Sequence, residues 1–187
     1  MLAFYNEHHA QHRARFEMFR GEMVPAFEKP ERADLVLAEF TRRGLGRIVT
    51  PHGVPLVSLE RIHTPRYLHF LRNAWSEWTA LDPANAGKDA FPSVWPVRSL
   101  RSDIEPENFS ARMGLYSMDS GTPLTAGTWI AAKTGADCAV NAAHALRLGE
   151  RSAFALTRPP GHHAGADFFG GYCFLNNAAL AAQHLLD

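Results

Sequence analysis

The chain has 187 residues, enough for one ordinary domain with a sizeable core, and its 46% hydrophobic and 20% charged residues exclude a disordered chain. Lys and Arg number 19 and Asp and Glu number 19, so no excess charge recruits nucleic acid or an anionic membrane. Two cysteines, Cys138 and Cys173, exclude a disulfide framework and point to a reducing compartment. The opening MLAFYNEHHAQHR turns to charge and histidine too soon for a signal peptide, and no later run reaches membrane-spanning length. A cytoplasmic protein is expected.

Leu2 to Tyr5 reads as a first buried strand. Ala33, Val36, Leu37 and Phe40 recur at helical spacing after Pro30, with Gly44 as the stop. Ile48 and Val49 make a second strand. Thr64 is placed as an N-cap before Pro65 at the first helical position, with Leu68, Leu71, Trp75 and Trp78 as the apolar face behind it. Residues 81–96 are rich in Pro, Gly and small residues, a long loop with no helical or strand period. Thr125 is predicted to cap a third helix that runs to about Leu148, where Gly149 ends it. Ala153 to Leu156 follows as an interior strand, and residues 176–186 as a last amphipathic helix. Helices alternating with short apolar strands argue a parallel α/β sheet, and with no repeat or boundary residues 1–187 form one domain or one piece of a domain.

Residues 158–177, RPPGHHAGADFFGGYCFLNN, carry the chemistry. His162 and His163 follow a Pro-Pro-Gly turn straight after a strand, where open α/β sheets put reactive groups. Paired imidazoles there can shuttle protons, because their unperturbed pKa lies near neutrality. An exposed pair in an ordinary loop is the alternative, which the aromatic and glycine residues that follow disfavour. The stretch PPGHHAG…GGYCFLNNAALAA resembles the signature of the histone deacetylase superfamily, with about a dozen residue types at fixed spacing. Tyr-Cys-Phe and the Asn pair are most similar to its acetylpolyamine amidohydrolase branch.

That resemblance implies an arginase/deacetylase-like three-layer α/β fold with a parallel sheet. It also implies hydrolysis of an acetylamide, in which a divalent metal, usually zinc, polarises the carbonyl and activates water. The family's ligands are two aspartates and a histidine, the first pair an Asp-x-His on the strand after the last helix seen here. The chain contains no Asp-x-His. Nothing in it matches the second metal aspartate or the oxyanion-stabilising tyrosine. The expectation is the first half or so of a complete enzyme, with no metal ligand in this chain and no activity alone. Either the chain is a fragment or early-terminated enzyme, or it is a natural short product with a binding or assembly task.

By the same resemblance His163 is the general base and His162 its electrostatic or proton partner, with their relative weight left open. Gly171 and Tyr172 would line the tunnel for the aliphatic part of the substrate, core packing being the other reading of Tyr172. Cys173 reads as buried and structural. Arg32 matches an arginine near an internal channel, or is a surface residue at a helix start. Residues 96–128 read as turn-like and hold Asp103, Glu105, Glu107 and Asp119. In the family branch this region joins a dimer partner and narrows the entrance, and Glu105 and Asp119 match acidic positions there. Carboxylates at a tunnel mouth attract a polycation; a solvated acidic loop is the alternative, and Arg98, Arg101 and Arg112 weaken the field. His8, His9 and His12 read as exposed, and His63, His69 and His144 as packing or surface positions. The implied function is deacetylation of acetylated polyamines or related amines by a homodimer. The runners-up are a protein acetyl-lysine deacetylase and a non-catalytic fragment that binds a full-length partner.

Overall fold

The computed structural model describes residues 1–97, 99 and 101–187, so Arg98 lies outside the described residues. Strand β1 (Leu2–Tyr5) opens the chain and leads through a tight turn at His9–Gln11 to an antiparallel hairpin, β2 (Phe16–Phe19) and β3 (Glu22–Pro25). Arg20 and Gly21 both take left-handed backbone, φ 52° and 86°, the conformation that closes a two-residue hairpin. Helix α1 (Glu31–Arg42) ends at Gly44, φ +59°, and strand β4 (Arg47–Val49) follows. A short helix α2 (Leu56–Leu59) precedes α3 (Pro65–Leu81), whose Thr64 hydroxyl accepts from the Tyr67 amide at 3.4 Å. After it come α4 (Phe109–Leu115), α5 (Thr128–Arg147), β5 (Ala153–Leu156) and α6 (Asn177–Leu186).

β1 lies between β4 and β5 and pairs in parallel with both. Phe4 sits beside Val49 and Ala155, and Leu2 beside Ala153. Successive side chains alternate across a sheet, so this set shares one face, and it packs on Cys138, Ala142 and Ala145 of α5. The opposite face presents Phe154, which stacks on Phe40 of α1 at 6.1 Å. Helix, parallel sheet and helix make three layers, as the family resemblance implies. A second core gathers Tyr67, Phe70, Tyr116, Phe169 and Phe174 between α3, α4 and the loop after β5. Both of its phenols are satisfied: Tyr67 donates to the Phe174 carbonyl and Tyr116 to the Glu105 carboxylate, each at 2.6 Å.

Several expectations need correction. β5 is an edge strand among the described residues, because only β1 pairs with it, and Ala153 to Ala155 stay half-buried. Helix α5 begins at Thr128 with Gly127 as its N-cap. Thr125 does not cap it; its amide donates to the Thr128 hydroxyl at 2.7 Å, the reverse of a cap bond. A Cβ at Gly127 would lie 2.2 Å from the Gln11 carbonyl, so close approach of the first loop sets the helix start. Residues 96–128 are not all turn: Asn108 caps α4, which buries Phe109 and Met113. Helix α3 buries Tyr67, Leu68, Phe70, Leu71 and Ala74, while Trp75 and Trp78 are half-buried. His9 and His12 are buried, not exposed. The β2–β3 hairpin is not among the expected elements, although Arg-Gly between two short, largely apolar runs is its signal.

Candidate active site

The exit of β5 is held from both sides. Asn6, buried at the end of β1, places its amide nitrogen 2.8–2.9 Å from the carbonyls of Ala131 and Arg158 and the Thr157 hydroxyl. The Arg158 guanidinium, 3% exposed, grips the Glu28 carboxylate with Nε and Nη2 and donates through Nη1 to the carbonyls of His9 and His12. A buried ion pair survives only when its remaining donors are satisfied, and this one satisfies them on the first loop. That is why His9 and His12 are drawn inside. His12 then hydrogen-bonds the Thr128 hydroxyl at 2.9 Å, and burial together with the Arg158 charge pushes its pKa down to about 3.

Beyond Arg158 the chain turns sharply over α6. A Cβ at Gly161 would meet the Leu175 carbonyl at 2.4 Å and the Asn177 amide at 2.6 Å, so only glycine lets the turn lie there. His162 and His163 stand beyond it with ring centroids 4.2 Å apart and planes at 49°. Both border a cavity of about 550 Å³ that Glu28, Arg32, Arg158, Gly171 and Tyr172 also line. The structure therefore brings together the histidine pair, Gly171, Tyr172 and Arg32. Arg32 is 66% exposed at its side chain and lies 3.8 Å from Glu28.

Gly171 and Tyr172 form a two-residue turn with φ +55° and +65°, closed by paired bonds between Gly170 and Cys173. A Cβ at Gly171 would lie 2.6 Å from His163 Cδ2, so the bare backbone of this turn rests against the imidazole. The Tyr172 hydroxyl donates to Glu17 at 2.8 Å, and burial and that carboxylate push its pKa up to about 12. Cys173 is fully buried, and burial pushes its thiol up, which leaves it an unreactive thiol.

Neither Glu105 nor Asp119 lines the histidine cavity. The half-buried Asp119 carboxylate accepts from the amides of Gly121, Thr122 and Gly171, so it holds the Gly171 turn. Glu105 accepts from the Tyr116 hydroxyl at 2.6 Å and lies 3.5 Å from Arg112. Asp103 is paired with Arg101. Among the described residues no group of three or more His, Cys, Asp or Glu is placed to hold a metal ion. The described residues do not compose the three-ligand site that a catalytic zinc needs. The sequence reading overlooked Glu17, Glu28 and Arg158; only Arg158, next to Pro-Pro-Gly, left a local signal.

A profile of the histone deacetylase domain matches residues 26–187, and the chain belongs to that family. It is 46% identical over its whole length to acetylpolyamine amidohydrolase 2 of Pseudomonas aeruginosa and covers 53% of that protein. With acetylpolyamine amidohydrolase of Mycoplana ramosa it shares 40% identity over 187 residues, 54% of that protein. A crystal structure of acetylpolyamine aminohydrolase from Burkholderia pseudomallei superposes with a TM-score of 0.90 at 35% identity, over 100% of this chain and 53% of that one. The HDA15 HD domain shares the fold, with a TM-score of 0.68 at 21% identity. The chain thus spans about half the length of the relatives it matches.

Proposed function

We propose that this chain supplies the proton-transfer pair and a tunnel wall to a zinc-dependent amidohydrolase that removes acetyl groups from acetylated polyamines or related amines. The observation that carries this reading is the glycine-only contact between the Gly171 turn and His163. It lays a flat backbone strip against His163, with Tyr172 on the wall of the same cavity. An aliphatic stem laid along Gly171 and Tyr172 brings its acetylamide to those rings. His163 takes a proton from the attacking water, His162 shares or steadies the charge, and the proton returns to the departing amine nitrogen. Zinc would belong to the complete enzyme, where it would polarise the acetylamide carbonyl and activate water, held by ligands outside the residues described. The relatives' names favour acetylated polyamines over acetyl-lysine in proteins. Glu105 and Asp119 would guard the entrance, Arg32 would border an internal channel, and the complete protein would be a cytoplasmic homodimer.

The test uses acetylputrescine and a fluorogenic acetyl-lysine. The 187-residue chain alone is expected to turn over neither with added zinc, and turnover lost in His163→Ala would overturn that. In the chain extended to its relatives' length, His163→Ala should lower kcat by about 10²–10⁴ with a smaller change in KM. More than half of the original rate remaining would mean that another group moves the proton.

A further inference from the structure

His144 on α5 and His184 on α6 lie 40 residues apart in sequence, yet their rings face each other across the helix pair. Nδ1 of His144 is 3.3 Å from Nε2 of His184, with centroids 5.4 Å apart and planes at 63°. That gap is a long hydrogen bond when one ring donates to the other. It is also the span of two imidazoles on one ion. Metal–nitrogen bonds of about 2.0–2.1 Å at the tetrahedral angle put two nitrogens roughly 3.3–3.4 Å apart. His144 is exposed and His184 half-exposed, so an ion can reach both nitrogens while water fills its other positions. The His184 backbone is held by the Arg147 guanidinium on its carbonyl at 3.0 Å. Neither ring lines the His162–His163 cavity.

We propose that His144 and His184 form a two-imidazole site for a divalent transition-metal ion that fastens α6 to α5. Neutral imidazole suits Zn²⁺, Ni²⁺ and Cu²⁺, and Cu²⁺ binds tightest at a site without imposed geometry. The charges around the pair are Arg147 on α5, Arg61 and Asp187. Arg61 and Asp187 are spent on each other at 2.8 Å, which leaves Arg147 as the one that weakens an ion. Fastening α6 also steadies the site turn, because the start of that helix backs Gly161. This inference is independent of the proposed enzymatic activity.

The test titrates the full chain with Zn²⁺ alone, and in parallel with Cu²⁺ alone, by calorimetry near neutral pH. The wild type, His144→Ala, His184→Ala and His69→Ala are compared, the last as a control for other exposed histidines. The expected result is an ion whose affinity falls at least about tenfold in either pair variant, as for lost metal partners, and is unchanged in the control. The ion should raise Tm in the wild type and leave the Tm of both pair variants unmoved. If a variant unfolds, the corresponding His→Gln is used, which keeps bulk without an imidazole. No binding, equal affinity in all chains, or a Tm rise that survives in a pair variant overturns the proposal.

Discussion

At the scale of single residues, two side chains divide work that composition alone would pool. Asp119 is committed to three loop amides, whereas Glu105 faces a phenol and a guanidinium at 31% side-chain exposure. Only Glu105 therefore offers a charge whose removal spares the Gly171 turn. In the chain extended to its relatives' length, Glu105→Gln should weaken kcat/KM for acetylspermidine by about 0.3–1 kcal/mol, or roughly twofold to fivefold, and less at high salt. A neutral acetylamide should be unaffected, and equal losses for both substrates would assign Glu105 to folding. His12 makes a second residue-scale test. Its folded pKa of about 3 lies below the ordinary 6.5, so the unfolded chain binds the extra proton. The stability from keeping this ring neutral is whole above about pH 6.5 and drains away as pH falls toward 3. The slope approaches about 1.4 kcal/mol per pH unit. Urea unfolding at several pH values should show that slope flattened in His12→Gln; an unchanged slope would place the titration elsewhere.

At the scale of elements, the first loop, the hairpin and the strand exit behave as one support. Arg158 ties the turn before His162 to Glu28 and to the carbonyls of His9 and His12, while Glu17 on β2 holds Tyr172. Cutting the pair leaves the buried Glu28 carboxylate with only the exposed Arg32 at 3.8 Å, so Arg158→Ala should cost about 3–5 kcal/mol of stability. Glu28→Ala should cost a similar amount. Because the two share one contact, the double variant should fall well short of the sum, which a denaturant double-mutant cycle measures. Additive losses would show that Arg158 acts mainly through the two carbonyls.

At the scale of the whole molecule, the sheet is covered unevenly. β5 has one hydrogen-bonding edge with no partner among the described residues, and beside it runs a groove of about 320 Å³ lined by Ala142, Leu146, Ala153, Ala155 and Leu185. An open strand edge next to apolar surface is a template for pairing with another chain. Light scattering of the 187-residue chain should show mass rising with concentration, and Ala155→Lys should suppress it. A monomer at every concentration would mean that the edge is blunted.

The strands at Leu2–Tyr5 and Ala153–Leu156, the helices behind Pro30 and Thr64 and the Pro-Pro-Gly turn before the histidine pair were legible in the sequence. Their signals are local: apolar period, a cap beside a proline, and a motif of contiguous residues. The burial of His9 and His12, the Arg158–Glu28 grip, the Glu17–Tyr172 bond and the His144–His184 pair were not. Each joins residues far apart in the chain, and an ionisable side chain far from its partner looks the same in sequence whether it ends in water or in a buried pair. The start of α5 belongs with them, since Gly127 was set by the Gln11 carbonyl pressing on it and not by Thr125 nearby. Local propensity determined which segments are strand and helix; only tertiary contact decided which polar groups are buried together, because that choice depends on what else the fold brings within hydrogen-bond reach.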